Sequence, residues 1–147
     1  MNRLTRTSLA AGAAALATAA VLSTTGSAQA PSGTALHLVS KQAKRGGFFP
    51  RHRLRNGDRF GFVDRISGDQ SGSDRIICTA VGNRALCTIQ VQLSNGTLTA
   101  QGTVPQHANN SPVAITGGTG AYNGARGTAF ATDTSATSSK IDIELLP

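Results

Sequence analysis

The chain has 147 residues and a formal charge of +7, with 39% hydrophobic and 4% aromatic residues, 17 glycines and no tryptophan. That is room for one domain, which excludes a multidomain enzyme. The charged share, 14%, is low for a soluble protein, and alanine crowded at the N-terminus inflates the hydrophobic share, so the chain divides into two unlike parts.

Residues 1–30 read as a secretory signal. Arg3 and Arg6 supply the positive n-region, 8–22 is an alanine-rich apolar stretch, and Ser27, Ala28 and Ala30 place small residues before a cleavage site after Ala30. A membrane anchor needs about 20 strongly apolar residues, more than this run offers. Loss of Arg3 and Arg6 with the signal leaves 117 residues, 31–147, with 12 basic against 7 acidic side chains and a net charge of +5. The expectation is an exported, soluble single domain with no stable membrane insertion.

The mature part reads as short strands of period two. The first covers 35–39. A basic stretch follows at 41–55, with Lys41, Lys44, Arg45, Arg51, Arg53 and Arg55, no acidic residue, and Gly46-Gly47-Phe48-Phe49-Pro50; it is expected to be a mobile loop. The next strand, 59–66, sets Phe60, Phe62, Asp64 and Ile66 on one side. Runs 76–81 and 84–93 flank Gly82-Asn83, and glycine at the first central position suits a two-residue type II′ turn. That register places Cys78 opposite Cys87 in a non-hydrogen-bonded pair, the kind with the closer side chains. In an oxidising compartment the two are expected to form a disulfide. With no CxxC and with His37, His52 and His107 scattered, no metal site is expected.

Asn95-Gly96 is a strong hairpin signal. A two-residue loop there sets Leu93 opposite Leu98, Val91 opposite Ala100 and Ile89 opposite Gly102. These pairs share a face with Ile76, Cys78, Ala80, Ala85 and Cys87, while Ile77, Val81 and Leu86 fall on the other. Further strands are expected at 113–116, 127–132 and 141–145. Between the first two, 117–127 holds five glycines in eleven residues. No Lys-Ser or Lys-Thr follows, so it is no P-loop, and it is expected to turn tightly at a barrel end with Tyr122 and Arg126 projecting. No segment has a helical period. Eight short antiparallel strands predict an all-β closed barrel whose interior is either filled or holds one small ligand, with a two-sheet sandwich as the alternative.

The string Ala114-Ile115-Thr116-Gly117-Gly118-Thr119-Gly120-Ala121-Tyr122, followed by Ala125-Arg126-Gly127, resembles the GGTG…ARG stretch of the dirigent and allene oxide cyclase-like superfamily. The stretch from Leu93 to Gly102 is similar to that superfamily's preceding strand, turn and strand, and Gly57-Asp58 fits the opening of the Phe60/Phe62 strand. The resemblance spans about 56–146, and with the cysteine hairpin it points to secreted bacterial members. It implies an eight-stranded antiparallel barrel with a mostly apolar cavity, often trimeric, which binds a small hydrophobic molecule and directs its cyclisation, isomerisation or stereoselective coupling. Strand 35–42 lacks the carboxylate of the plant enzymes, a departure from an identical reaction.

No GxSxG, HExxH, free nucleophilic cysteine or cofactor fingerprint is present, so neither a cofactor nor nucleic acid is expected. Asp64 shares the parity of Phe60 and Phe62 and is the candidate proton-transfer group, since desolvation in an apolar cavity raises a carboxyl pKa. The resemblance adds Arg126 as the second catalytic candidate. Phe60, Phe62 and Tyr122 are the candidate ligand-binding residues. The alternatives are a non-catalytic carrier of hydrophobic ligands, or a cell-envelope protein that binds polyanions through 41–55. A cavity holding a carboxylate, a purely apolar cavity and a filled barrel separate these three readings.

Overall fold

In the computed structural model, residues 33–50, 53–105 and 110–147 are described; the expected signal, 1–30, lies outside them. Eight strands run in chain order: β1 (Ala35–Phe48), β2 (Arg59–Gly68), β3 (Gly72–Val81), β4 (Arg84–Leu93), β5 (Gly96–Pro105), β6 (Asn110–Gly120), β7 (Gly127–Ser135) and β8 (Ser138–Leu145). Each pairs antiparallel with the next, and β8 returns to β1, which closes the barrel as the sequence pattern predicted. At the seam the His37 imidazole Nδ1 lies 2.7 Å from Asp142 Oδ1, a contact that raises the His37 pKa. It is solvent-exposed, so the ladder hydrogen bonds carry the closure.

The β3–β4 hairpin has the expected register: Val81 opposes Arg84, Ala80 opposes Ala85, and Cys78 opposes Cys87. Gly82 adopts φ +60°, and its N–H donates to Asn56 Oδ1 at 2.6 Å, so the turn is tied to the loop before β2. The cysteines form a disulfide across Cα atoms 4.1 Å apart, with both side chains buried on the inner face.

The β4–β5 turn differs from the expectation. Ser94-Asn95 form the turn, Leu93 opposes Gly96, Val91 opposes Leu98 and Ile89 opposes Ala100. The register is two residues from the predicted one, so the buried face is preserved while every partner changes. The cause is non-local. Gly96 stands inside the β5–β6 ladder, where a Cβ would come within 2.2 Å of the Thr119 carbonyl oxygen, and the Asn95 carbonyl accepts from the Ala121 N–H at 3.0 Å.

Two expected loops are partly strand. Residues 41–48 complete β1, which pairs with β2 through an irregularity between Gln42 and Gly47. Phe48 lies over Gly61, where any Cβ would meet its ring at 2.7 Å. Residues 117–120 complete β6, and Gly118 has room for no side chain: a Cβ would sit 2.4 Å from the Tyr122 carbonyl oxygen.

The inward row varies in size along the barrel. Toward the β6–β7 connection Leu36, Leu38, Ile66, Leu93, Leu98, Tyr122, Ile143 and Leu145 pack into a continuous core. Toward the β3–β4 turn the buried residues are Phe60, Ala80, Ala85 and the disulfide. Outside, Ile77, Val81 and Leu86 are exposed, as predicted.

Closing about ten residues by a disulfide contributes at most ~3 kcal/mol, and less where a turn already holds the hairpin. Cys78→Ala/Cys87→Ala is therefore expected to lower the guanidinium unfolding free energy by about 1–3 kcal/mol while the far-ultraviolet spectrum of the barrel is retained; non-reducing peptide mapping of the wild type should show no free thiol.

Candidate functional site in the barrel lumen

Small inward side chains leave a hollow of about 320 Å³ inside the barrel, lined by Phe60, Phe62, Ile89, Val91, Ala100, Val113, Ala129 and the Cys78–Cys87 pair, among others. It reaches Pro105, Ser111 and Asp133, at the end that carries the β5–β6 and β7–β8 connections. A second hollow of about 380 Å³, walled by Ser40, Gln42, Asp64 and 135–139, adjoins it through Phe62, Ile76, Ala131 and Asp133. Phe49 packs on two residues of the wall, its ring centroid 5.9 Å from that of Phe60 and 4.9 Å from that of Phe62. A volume of this size suits one small molecule.

Inward parity brings two carboxyl groups face to face, because Asp64 of β2 is the ladder partner of Asp74 of β3. Ser40 Oγ donates to Asp64 Oδ2 at 2.8 Å, and Ser138 Oγ, by donating to the Ser40 carbonyl at 3.0 Å, ties the β7–β8 turn to the same strand. Oδ1 of Asp64 and Oδ1 of Asp74 are both buried without a hydrogen-bond partner. Asp74 is 1% exposed and borders the apolar hollow. Burial pushes its pKa up to about 7, the Asp64 charge adds to the rise, and a hydrogen bond from the Asp64 backbone offsets part of it. A carboxyl group at that value gives or takes a proton at neutral pH.

Phe60, Phe62 and Asp64 therefore lie at the hollows, as their shared parity predicted. Asp74 was missed because the strand was expected to begin at Ile76. The signal was present: Asp74 has the parity of Ile76, Cys78 and Ala80. Tyr122 and Arg126 are not brought to this site. Tyr122 is buried in the core at the opposite end, and neither borders a hollow. Arg126 is exposed, and its guanidinium donates to the adjacent Ala125 carbonyl at 2.8 Å. The glycine string thus closes the barrel floor, because Gly118 admits the Tyr122 backbone against the sheet. Of the basic stretch, Lys41, Arg53 and Arg55 are exposed outside the lumen, and Arg51 and His52 lie outside the described residues.

Comparison with solved structures gives the same architecture. A pyocyanin demethylase superposes with TM-score 0.66 at 23% identity, over 76% of this chain and 99% of that one. Two pterocarpan synthase dirigent proteins, GePTS1 and PsPTS1, give TM-scores of 0.65 and 0.63 at 21% and 19% identity, over 76% and 80% of this chain and 86% and 95% of theirs. The sequence matches no protein-family model and no curated protein. The fold is the dirigent-like eight-stranded barrel, in agreement with the resemblance read from the GGTG…ARG string.

The raised Asp74 pKa has a thermodynamic consequence. The folded protein keeps a proton that the unfolded chain releases, so this group makes stability fall as pH rises from about 4 to about 7, with no further change above. Asp74→Asn is expected to remove that slope and to raise stability at pH 8 by on the order of 4 kcal/mol. Thermal and urea unfolding between pH 4 and 8 measure both effects.

Proposed function

We propose that the protein binds a small, largely apolar molecule in the barrel lumen and directs its isomerisation or cyclisation without a cofactor, Asp74 moving the proton and Asp64 shaping its field. The observation that carries this reading is a titratable carboxyl group, buried and short of one hydrogen bond, on the wall of an apolar cavity. A carrier is served by apolar walls alone and gains nothing from the cost of burying a carboxyl. A polyanion-binding barrel needs no hollow. The same fold in proteins named for chemistry on pyocyanin and pterocarpans supports a small-molecule role. Phe60 and Phe62 supply flat apolar contact on the wall they share with Asp74, and the pocket's shape, rather than a preformed nucleophile, selects the product.

Export through residues 1–30 belongs to the same proposal, and the disulfide is compatible with it. So does a trimer, for which the exposed Ile77, Val81 and Leu86 supply apolar surface to cover. Light scattering of the wild type should report three chains per particle, and Leu86→Glu should shift it to one.

The functional test begins with ligands retained by the purified protein, identified by untargeted mass spectrometry. With the molecule so found, Asp74→Asn should lower turnover of the bound molecule at least ~100-fold at saturation, a loss in kcat beyond any change in the dissociation constant. Ala131→Phe, which fills the junction of the two hollows, should abolish binding, and Arg126→Ala should leave both quantities unchanged. Full turnover in Asp74→Asn contradicts the reading.

A further inference from the structure

The walls of the two hollows have one sign of charge. Among the described residues their titratable side chains are Asp64, Asp74 and Asp133, and no lysine, arginine or histidine borders either space. Around Asp74 the neighbours are Asp64 on β2 and Val91 on β4, while Ser40 of β1 is already committed to Asp64 and Ser139 donates to Asp133. Two carboxyl oxygens, one on Asp64 and one on Asp74, are left buried with no hydrogen-bond partner. A low-dielectric wall holding adjacent carboxyl groups without a counter-ion is completed by a positive charge, which relieves their mutual repulsion and the missing hydrogen bonds together.

A second feature favours the same sign. Phe62 borders both hollows, Phe60 and Phe49 pack edge-on against it and stack on each other, and Phe60 and Phe62 share the wall of the first hollow with Asp74. Aromatic faces next to acidic groups attract a cation and discriminate against an anion. A neutral hydroxyl satisfies one oxygen but leaves the charge uncompensated. The outer cations Arg59, Arg65 and Arg75 are exposed, and water and salt screen them over about 8–10 Å, so the lumen's own groups set the preferred charge of the guest.

We infer that the lumen selects an apolar molecule bearing a protonated amine or another cationic nitrogen, seated with its charge against Asp64 and Asp74 and its rings against Phe60 and Phe62. This rests on the lumen being the binding site and adds the charge of the ligand. Fatty acids, phosphates and other anions are excluded by the same groups. Because a cation stabilises ionised Asp74, its binding releases a proton when Asp74 is protonated beforehand.

Three naphthalene probes of similar size test the charge: 1-naphthylmethylamine, 1-naphthalenemethanol and 1-naphthoate, titrated into the intact protein by calorimetry. At pH 8 the amine is expected to bind at least ~10-fold more tightly than the alcohol, and the carboxylate at least ~10-fold more weakly. Amine affinity should climb between pH 6 and 8, with proton release shown by buffers of different ionisation enthalpy, while alcohol affinity stays constant. Asp64→Asn/Asp74→Asn should bring the amine and alcohol affinities together. The wild-type ratios and pH profile decide the matter even where that variant does not fold. An alcohol that binds as well as the amine at pH 8 overturns the charge preference and leaves the lumen as the binding site. Failure of all three probes to bind overturns the lumen reading and this inference with it.

Discussion

A closed eight-stranded barrel has as many inward positions as its strands dictate, and what the interior can do depends on the volume of the side chains placed there. Here the sizes are unequal along the axis. Leucines, isoleucines and Tyr122 fill one end, and Ala85, Ala100, Ala129 and the Cys78–Cys87 bridge leave the other hollow. The filled end supplies most of the contiguous apolar burial, at roughly 25 cal/mol per Å², and the hollow end is carried by it. The disulfide helps because it occupies two inward positions with little volume while it cross-links the strands that border the cavity.

Once the lumen is apolar and closed at one end, a carboxyl group as deeply buried in its wall as Asp74 is costly to ionise. That is the situation of Asp74. The ladder makes Asp64 its cross-strand partner, so relief by an opposite charge is replaced by repulsion, and its proton is retained to about neutral pH. Ser40 serves Asp64 and leaves Asp74 to the cavity. Stability and chemistry are therefore opposed at one residue: the feature that suits Asp74 to proton transfer is the one that weakens the fold as pH rises. Charge selection of the ligand follows from the same arrangement, since whatever occupies the space must satisfy what the protein leaves unsatisfied.

Local features were legible in the sequence and non-local ones were not. The turn at Gly82, the Cys78–Cys87 pairing and the inward parity of Phe60, Phe62 and Asp64 depend only on alternation and on a two-residue turn, so counting suffices. The turn near Gly96 also looked local, yet its position is set by the approach of β6, and the glycine is spent within the ladder rather than in the turn. In the GGTG…ARG string the glycines signal close packing of Tyr122 against Gly118, and Arg126 points away from the lumen. Asp74 escaped notice because the start of β3, Gly72-Ser73-Asp74-Arg75, is polar throughout and carries no hydrophobic alternation to reveal which side faces in.

The protonation state of one carboxyl group decides what the lumen can do, and carbon-detected nuclear magnetic resonance of the aspartate side chains reads it directly. In the ligand-free protein one carboxyl resonance should titrate with a midpoint near pH 7 and be missing from the spectrum of Asp74→Asn. A spectrum in which Asp74 titrates near the ordinary aspartate value of about 4 would contradict the account.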